Sequence, residues 1–315
     1  MFVVCGEALF DVFIADGVAQ DARTVPFSAR VGGSPFNVAI GLARLGCDSA
    51  LLTGLSTDFL GQRLLAVLEA EKVSTRLIVR KPAPTTLGFV QHGEDGVPAY
   101  AFYGEGAADR SLTPADLPAS LEGTECLHAG SYSIVTPPTS DAVLQLFQRE
   151  SGQRILSVDP NIRPTVEPDM AIWRERIDAL LALADVVKVS DEDLGWLYPG
   201  QAIDAIMRQW MANGLKLMVV TRGSQGALLA SQAAQAEVST PKIRVVDTVG
   251  AGDTFQAALL DALVALKQAH GERWESMLDA ATLTRIGHFA AVAAAITCSR
   301  KGADLPTRTE INQAL

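Results

Sequence analysis

The stretch Asp247-Thr248-Val249-Gly250-Ala251-Gly252-Asp253-Thr254-Phe255 is the most informative part of this sequence. An apolar run with Ile243, Val245 and Val246 precedes it, and an alanine- and leucine-rich run over 257–266 follows it. This order predicts a strand, a glycine turn and a helix. Backbone N–H groups in the first turn of a helix lack intrahelical acceptors and lie at the positive end of the helix dipole. The turn therefore predicts an anion site formed by the backbone of Gly250, Ala251 and Gly252.

An aspartate at the mouth of an anion site is unexpected, because the Asp253 carboxylate would repel a phosphate group. The arrangement is useful if Asp253 faces a second substrate and accepts a proton from its hydroxyl while that hydroxyl attacks phosphorus. An aspartate just inside a helix can also be a capping residue, and a lone Gly-x-Gly-Asp does not separate the two interpretations. The turn carries neither the dinucleotide-binding Gly-x-Gly-x-x-Gly motif nor a P-loop.

Composition and charge exclude several classes of protein. At 315 residues, 48% of them hydrophobic and 20% charged, the chain can bury the core of one large α/β domain. Its net charge of -10 argues against a nucleic acid or an anionic membrane as partner. The cysteines at 5, 47, 126 and 298 lack metal-ligand spacing and are typical of buried thiols in a cytoplasmic protein. We expect neither a signal peptide nor a membrane span of about 18 apolar residues.

Short apolar strands alternate with longer helical segments along the chain. Strands are predicted near 2–8, 48–54, 125–129, 154–158, 184–189 and 216–221. Helices are predicted near 35–45, 58–72, 138–150, 169–183, 201–213, 252–268 and 276–297. This alternation predicts a mainly parallel sheet with helices on both faces, in which ligands bind beyond the carboxyl ends of the strands.

Two stretches, approximately 10–31 and 85–105, interrupt this alternation. Both have the alternating pattern of extended strands, and the second contains a turn signal at Gly93-Glu94-Asp95-Gly96. A few extra antiparallel strands would form either a flap over the active site or a simple edge hairpin. The flap is favoured because the two stretches flank the glycine pair Gly32-Gly33.

Polar residues also follow the first strand and begin the first helix. Gly32-Gly33 leads into Ser34, a candidate helix cap, and Asn37 projects from the first helical turn. The N–H of Gly33 and the amide of Asn37 suit a small polar ligand such as a sugar, although a capped tight turn explains the same pattern. Glu7 and Asp11 suit binding of vicinal hydroxyls, or are solvated loop acids.

Three later loops carry the remaining candidates. In Asp159-Pro160-Asn161-Ile162-Arg163, the Arg163 guanidinium suits a transferring phosphoryl group, or forms a salt bridge with Asp159. In Lys188-Val189-Ser190-Asp191-Glu192-Asp193, Ser190 is predicted to cap a helix. The three acids that follow either bind Mg²⁺ through water or interact favourably with the helix dipole. Thr221-Arg222-Gly223-Ser224-Gln225-Gly226 is a turn suited to the phosphate or ribose of a nucleotide.

The two glycine motifs together resemble the signatures of the PfkB, or ribokinase-like, family of carbohydrate kinases. Gly32-Gly33 with Asn37, Ala39 and Leu45-Gly46 is similar to the first signature, and 247–253 to the second. The family order extends over nearly the whole chain, and the segments 6–11, 159–163, 188–193 and 297–303 are most similar to bacterial fructokinases. The resemblance implies a ribokinase-like α/β fold, a three-layer sandwich with a mainly parallel central sheet and a small β lid, in a single kinase domain over 1–315.

The resemblance also implies roles for individual residues. Asp253 is expected to be the catalytic base. The backbone of Gly250, Ala251 and Gly252 and the cation Arg163 are expected to stabilise the charge of the phosphoryl group. The residues assigned to the sugar are Glu7, Asp11, Gly32, Gly33, Asn37, Tyr103 and Asn161. Those assigned to ATP are Lys188, Ser190, Thr221, Gly223, Gly226, Ala294 and Gly302.

Two ions are implied by the same resemblance. Mg²⁺ is expected near Asp193 and Asp191, through water, where Ser190 and Asp193 take the places of Asn and Glu in the family motif Asn-x-x-Glu. A monovalent cation, K⁺, is expected beside Asp247 and the 297–302 loop, bound largely through carbonyl groups.

The implied activity is transfer of the γ-phosphoryl group of Mg-ATP to a hydroxyl of a free sugar, with fructose first and fructose 6-phosphate as product. Ribose, 2-keto-3-deoxygluconate or a nucleoside are alternative acceptors. A sugar or nucleotide sensor without activity is a further alternative, against which the retained Asp253 and Arg163 argue. The family's lid often forms a homodimer interface, so a homodimer through the lid is expected, with no nucleic acid or membrane as partner.

Overall fold

A computed structural model of the chain describes residues 1–14, 23–92 and 98–315, and a nine-stranded sheet runs through its centre. In sheet order the strands are β13 (Gln235–Val238), β12 (Ala227–Ser231), β11 (Leu217–Thr221), β10 (Val186–Ser190), β9 (Ile155–Asp159), β8 (Cys126–Gly130), β1 (Phe2–Cys5), β4 (Ser49–Ser56) and β5 (Ile78–Lys81). All neighbours pair in parallel except β11 with β12 and β12 with β13. The predicted parallel sheet is confirmed, with an antiparallel edge.

Helices cover both faces of this sheet. One layer contains α1 (Ser34–Arg44), α2 (Phe59–Ala70), α7 (Ala251–His270), α8 (Ala280–Cys298) and α9 (Arg308–Ala314), and the other contains α3 (Thr139–Glu150), α4 (Met170–Leu181), α5 (Asp191–Leu197) and α6 (Ile203–Met211). A hydrophobic core lies on each face of the sheet, and successive side chains of β1 point alternately into one core and the other. Phe2 and Val4 pack in the first core, and Val3 and Cys5 in the second. The three-layer sandwich is therefore confirmed.

A second, four-stranded sheet forms the lid. Its order is β3 (Phe27–Gly32), β2 (Leu9–Ile14), β6 (Leu87–His92) and β7 (Pro98–Tyr103). The predicted small β lid is confirmed, but β2 and β6 pair in parallel, whereas antiparallel strands were predicted. Parallel pairing is available because α1, β4, α2 and β5 form a long crossover between these two strands. The predicted turn at Gly93-Glu94-Asp95-Gly96 lies outside the described residues.

Most predicted elements occur with boundaries shifted by a few residues. The predicted strand 2–8 ends at Cys5, and the chain then passes through Gly6 into the lid. The predicted helix 276–297 begins only at Ala280, because Asp279 caps it by accepting the N–H of Thr282 (2.8 Å). A 3-10 segment fills the residues before this cap.

Among the described residues, α8 is the one helix whose length and composition would suit a membrane span. Half of its apolar window is buried inside the protein, where it packs against α7, β12 and β13. Packing on three elements of the core explains why this helix is apolar on most of its faces.

Candidate active site

The turn before α7 has the geometry of an anion site. Gly250 has left-handed backbone angles (φ 79°, ψ 0°), which glycine adopts without strain. The N–H of Ala251 donates to the carbonyl of Thr248 (3.2 Å). The N–H groups of Gly252 and Asp253 have no acceptor among the residues that the structure describes. Both lie at the positive end of a 20-residue helix. The open donors are therefore centred on Gly252, and the predicted contribution of Ala251 is already used within the turn.

Asp253 joins the two glycine motifs. Its buried carboxylate accepts hydrogen bonds from Ser34 Oγ at Oδ1 (2.7 Å) and from Asn37 Nδ2 at Oδ2 (2.8 Å). Burial raises the pKa of Asp253, and the two hydrogen bonds, followed by the positive charges of Lys188 and Arg163, oppose that rise. Each oxygen keeps a lone pair that can take a proton. The result is a fixed carboxylate suited to act as a base.

The predicted roles of Ser34 and Asn37 change in this geometry. The helix α1 begins at Ser34 itself after the N-cap Gly33, and no side chain caps it. The prediction of Ser34 as a cap is therefore wrong, because its hydroxyl turns to Asp253. Asn37, assigned to the sugar, orients the same carboxylate with its amide, and this leaves its carbonyl oxygen for other partners.

Asp11 lies on the lid and faces the same site. Burial raises its pKa to about 6, with Arg163 lowering the value and Asp253 raising it. Both influences are electrostatic and show that the lid carboxylate shares a site with the base and the cation. Gly32 makes room for Asp11, because a side chain at Gly32 would collide with its carboxylate. Gly33 lies against the carbonyl of Glu7, which a Cβ would approach to 2.7 Å.

The loop after β9 brings Arg163 and Asn161 to the carboxyl ends of the strands. Nη1 of Arg163 donates to the carbonyl groups of Ile162 (3.0 Å) and Asn161 (3.4 Å). Asn161 adopts a positive φ of 41°, a conformation that asparagine tolerates better than most residues. The guanidinium is thereby held at the site by its own loop, and the alternative Asp159–Arg163 salt bridge is not formed.

Glu7 differs from its predicted role as a sugar ligand. Its side chain is buried, and Oε2 accepts a hydrogen bond from Ser133 Oγ (2.5 Å). Burial raises the pKa of Glu7 to about 7, which the hydrogen bonds of Ser133 and Ser131 partly oppose. The carboxylate faces the interior beneath the first strand end, so the geometry gives it a supporting position rather than one open to a ligand.

Tyr103, predicted to bind the sugar, lies on the opposite face of the lid. Gly88 pairs with Asp11 and Phe102, and a Cβ on Gly88 would lie 3.2 and 3.0 Å from their side chains. Successive side chains of a strand alternate, so Phe102 faces the site and Tyr103 faces away. Tyr103 is 67% exposed and packs edge-on against Phe89, with 5.4 Å between ring centroids. The prediction for Tyr103 is wrong for this reason.

Lys188, assigned to ATP, is buried beneath the glycine turn. Its ammonium donates to Asp159 Oδ2 (2.7 Å), and a Cβ on Gly252 would lie 3.1 Å from Nζ. Burial raises the pKa of Asp159 to about 6, and Lys188 opposes this rise. The two residues form an ion pair whose side chains are 5% and 1% exposed.

The start of α5 carries the residues assigned to Mg²⁺. Ser190 and Asp193 form a capping box, in which Ser190 Oγ accepts the N–H of Asp193 (3.0 Å) and Asp193 Oδ2 accepts the N–H of Ser190 (3.3 Å). Asp193 Oδ1 accepts the N–H of Ile162 (2.9 Å), and Asp191 is exposed. No cluster of three or more metal-ligating residues occurs among the described positions. This donor set fits Mg²⁺ held mainly by phosphates and water, with one or two carboxylates nearby.

Asp247 ties two loops together. Oδ1 accepts the N–H of Val249 (3.1 Å), and Oδ2 accepts the N–H of Gly302 (2.8 Å). The carboxylate therefore fixes the 297–302 loop to the signature turn. A cation beside it would be coordinated by the carbonyl groups of these two loops.

The residues assigned to the nucleotide lie at the end of β11, in the turn that follows it, and on or after α8. Thr221 ends β11 next to Ser190 on β10, and Gly223 follows in a 3-10 turn held by Thr240 Oγ1, which donates to its carbonyl (2.7 Å). Ala294 is half-buried on α8, and Gly302 follows that helix. Gly226 has a structural reason to be glycine, because its backbone packs directly against the carbonyl of Val238.

The apolar run before the signature turn is not a strand. The N–H groups of Val246 and Asp247 both donate to the carbonyl of Cys298 (2.8 and 3.3 Å), which leaves an irregular segment along the end of α8. Ile243, Val245 and Val246 are 37%, 60% and 56% exposed. The prediction of a strand here is wrong, and the sequence analysis missed an exposed apolar surface beside the anion site.

A carboxylate base, open N–H groups and a phosphate-matching guanidinium at one sheet edge define a phosphotransferase that acts on an alcohol. The chain matches the model of the pfkB family of carbohydrate kinases over residues 1–310, and it belongs to that family. The predicted family and fold are thereby confirmed.

Individual relatives agree with this assignment. A fructokinase from Rhizobium leguminosarum bv. trifolii is 40% identical over 263 residues, which are 84% of this chain and 79% of the relative. The structure of a fructokinase with bound ATP from Xylella fastidiosa is similar with a TM-score of 0.87 and 28% identity, over 99% of this chain and 97% of that one. A fructokinase from Vibrio cholerae O395 in a form with bound fructose, ADP and calcium ion has a TM-score of 0.85 and 27% identity, over 100% and 98%.

Proposed function

We propose that this protein is an ATP-dependent kinase that converts fructose to fructose 6-phosphate. The observation that carries the proposal is the Asp253 carboxylate, held by Ser34 and Asn37 directly beside the open N–H groups of the turn. Relatives named as fructokinases support fructose as the acceptor. A cytoplasmic location belongs to the same proposal.

Asp253 takes the proton of the attacking hydroxyl. As the sugar oxygen bonds to the γ-phosphorus, the bond from that phosphorus to the bridging oxygen of ADP breaks. The proton passes to the Asp253 carboxylate, and ADP leaves with the electron pair of the broken bond. Hydrogen bonds from Ser34 and Asn37 favour the ionised carboxylate before reaction, although burial opposes it.

Charge on the transferring phosphoryl group is balanced by fixed donors. The N–H groups of Gly252 and Asp253 point from the positive end of α7, and Arg163 supplies a planar cation nearby. Asp193 and Asp191 would hold Mg²⁺ through water, and the ion would supply further neutralisation of the phosphate charge. We include K⁺ beside Asp247, where that carboxylate already joins the two loops expected to coordinate it.

The adenine ring of ATP is proposed to lie against the exposed apolar surface of Ile243, Val245 and Val246. Thr221, Gly223, Ala294 and Gly302 are the other residues proposed to contact the nucleotide, and the exposed apolar side chains suit its flat aromatic ring. On the opposite side, Asp11 and Phe102 of the lid close over the sugar, which excludes water from the reacting phosphoryl group.

The outward face of the lid supports a homodimer. Phe27 is 52% exposed and packs edge-on against Phe89, which in turn contacts Tyr103. Ile14 on the neighbouring strand is also exposed. Clustered exposed aromatic side chains are typical of protein interfaces, and a second copy of the lid is the proposed partner.

Coupled ADP release with Mg-ATP tests the proposed reaction. The acceptors are fructose, ribose, 2-keto-3-deoxygluconate, adenosine and fructose 6-phosphate, each with and without K⁺. Turnover on fructose, abolished in the Asp253→Asn protein, supports the proposal. Turnover on another acceptor alone contradicts fructose, and ATP binding without turnover on any acceptor favours a sensor.

A further inference from the structure

Four buried polar side chains interrupt the apolar face beneath the catalytic turn. The residues are His128 on β8, Ser157 on β9, and the ion pair of Asp159 and Lys188, and each residue as a whole is at most 4% exposed. Strand register places His128 opposite Ser157, and Gln256 Nε2 of α7 donates to Ser157 Oγ (2.9 Å). Elsewhere this face of the sheet packs apolar residues against α1, α7 and α8. These four groups lie in the part of the core that supports the start of α7, apart from Ser49 and Thr53, which are buried on the same face at β4.

Stability alone does not explain the Lys188–Asp159 pair. Two buried charges lose hydration on folding, and similar pairs can often be replaced by apolar residues without loss of stability. One oxygen of the pair, Asp159 Oδ1, is buried without a hydrogen-bond partner among the described residues. An incompletely bonded carboxylate in the core is costly, and this cost favours a role connected with the adjacent active site.

The location of the ammonium points to that role. Nζ of Lys188 lies where a Cβ on Gly252 would come within 3.1 Å, so the cation lies directly under the residue that precedes Asp253. The one hydrogen bond described for it goes to Asp159 Oδ2 (2.7 Å), which anchors the long side chain. Gly252 is thus the residue that allows a buried cation to approach the start of α7.

We propose that Lys188 is a positioning residue that keeps the Asp253 carboxylate ionised, and that Asp159 holds Lys188 in place for this purpose. The inference rests on the proposed kinase function and differs from the predicted contact between Lys188 and ATP. A buried carboxylate takes up a proton readily, and a protonated Asp253 cannot accept the hydroxyl proton. Lys188 supplies the compensating positive charge from inside the protein, where solvent screens it least.

Several groups surround Asp253, and each contributes to its charge state. Ser34 and Asn37 on α1 donate to it, Arg163 from the loop after β9 is a second cation, and Asp11 on the lid is a competing anion. Asp159 and Asp193 surround Lys188 together with Asp253. Lys188 is the buried cation of this set. Its removal should therefore affect the ionisation of Asp253 more than a change at the half-buried Arg163.

The test compares pH profiles of kcat for the wild-type protein and for Lys188→Met. Loss of a nearby cation raises the pKa of a carboxylate, so the acid limb of kcat moves to higher pH by about one to two units. Turnover of the variant approaches the wild-type value at pH 9, and the Kd of Mg-ATP measured by calorimetry changes less than about threefold. Lys188→Arg keeps the charge and restores most of the wild-type profile.

A second variant separates this role from a structural one. Lys188→Met leaves Asp159 unpaired, which can unfold the protein, whereas the double variant Lys188→Met with Asp159→Leu removes both charges and folds more readily. Asp159 is itself a negative charge near Asp253, so the double variant is compared with Asp159→Leu alone, and an acid limb at the same pH in both overturns the inference. The inference is supported if the double variant is folded by thermal melting and its acid limb lies at higher pH than that of Asp159→Leu.

Two further outcomes are decisive. An unchanged acid limb with a Kd of Mg-ATP raised tenfold or more overturns the inference in favour of a direct contact with the nucleotide. A wild-type protein that does not phosphorylate fructose contradicts the proposed substrate, and the same profiles are then measured with the acceptor that is turned over. Failure of the substrate proposal and failure of the role of Lys188 are thus distinguishable.

Discussion

The two sides of the α7 start offer different means of binding the sugar and the nucleotide proposed for them. On the sugar side, the buried Asp253 carboxylate is held by hydrogen bonds from the side chains of Ser34 and Asn37. On the nucleotide side, exposed Val245 and Val246 lie beside backbone groups. A buried polar group discriminates strongly, because a ligand without the matching partner leaves it unpaired. The comparison indicates that selectivity resides on the sugar side, whereas the nucleotide side supplies contact area.

The largest effect is expected on the sugar side, from Asp253→Asn. The amide oxygen can still accept from Ser34 or Asn37, but it cannot take the hydroxyl proton. We expect kcat to fall about 10²- to 10⁴-fold, with binding of fructose and Mg-ATP near the wild-type values. Steady-state kinetics and calorimetry measure the two quantities.

Asp204→Asn is the matched control, because Asp204 is also an acid in the first turn of a helix and is exposed on α6. It should leave kcat unchanged. If Asp253→Asn retains near-wild-type turnover, the carboxylate is not the base and the contrast between the two sides loses its central element.

Glu7→Gln is expected to change stability rather than chemistry. Burial raises the pKa of Glu7 from 4.5 to about 7, so the folded protein holds this proton more tightly than the unfolded chain. The contribution is present below pH 4.5 and is lost as pH rises to 7, which amounts to on the order of 3 kcal/mol. The variant should therefore gain stability relative to wild type between pH 5 and pH 8, as measured by urea unfolding.

Exposed Glu69→Gln on α2 is the control for this experiment and should follow the wild-type curve. The difference between wild type and Glu7→Gln isolates Glu7 from other buried acids such as Asp109 and Asp159. Parallel curves for these two proteins would show that the Glu7 carboxyl does not titrate in this range.

Asp11→Asn tests whether a charged carboxylate on the lid contributes to sugar binding. The raised pKa of about 6 means that Asp11 takes up a proton as pH falls through 6, and it then loses its capacity as a charged acceptor of sugar hydroxyl groups. We expect the wild-type affinity for fructose to fall below pH 6. The variant should bind fructose about tenfold more weakly than wild type at pH 8. Its own affinity should not change as pH falls through 6.

Calorimetry of fructose binding in an Asp253→Asn background removes the titration of the base from this measurement. If the affinity for fructose depends on pH equally with and without the Asp11 carboxylate, another group is responsible for that dependence. The sugar site would then depend on uncharged donors and acceptors, unlike the arrangement described above.

Local patterns in the sequence predicted the parallel sheet and the two glycine motifs. The strands are short apolar runs, and loops such as 159–163 and 188–193 follow them directly, so parallel strands bring these loops to one edge. The family resemblance assigned Asn37 to the sugar and Asp253 to the base, but the hydrogen bond between them, 216 residues apart, was not predicted. No local pattern contains such a contact.

The errors have identifiable physical causes. Alternation places Phe102 and Tyr103 on opposite faces of the lid, but only the tertiary structure decides which face covers the site. Glu7 is turned inward by Ser133, which is distant in sequence. The run before the signature turn was interpreted as a strand because apolar composition cannot distinguish a buried strand from an exposed surface for a ligand.

The smallest predicted effect belongs to the nucleotide side and tests whether that surface recognises ATP through apolar contact. Val246 is 56% exposed, so Val246→Ser removes apolar area without opening a cavity. Losing the burial of one valine side chain costs about 1 kcal/mol, and the KM for ATP should rise about fivefold while the KM for fructose is unchanged. Val25→Ser, at a residue 48% exposed just before β3, is the control and should alter neither constant. An unchanged KM for ATP would mean that the nucleotide side also depends on a few specific polar contacts, and the difference between the two sides would disappear.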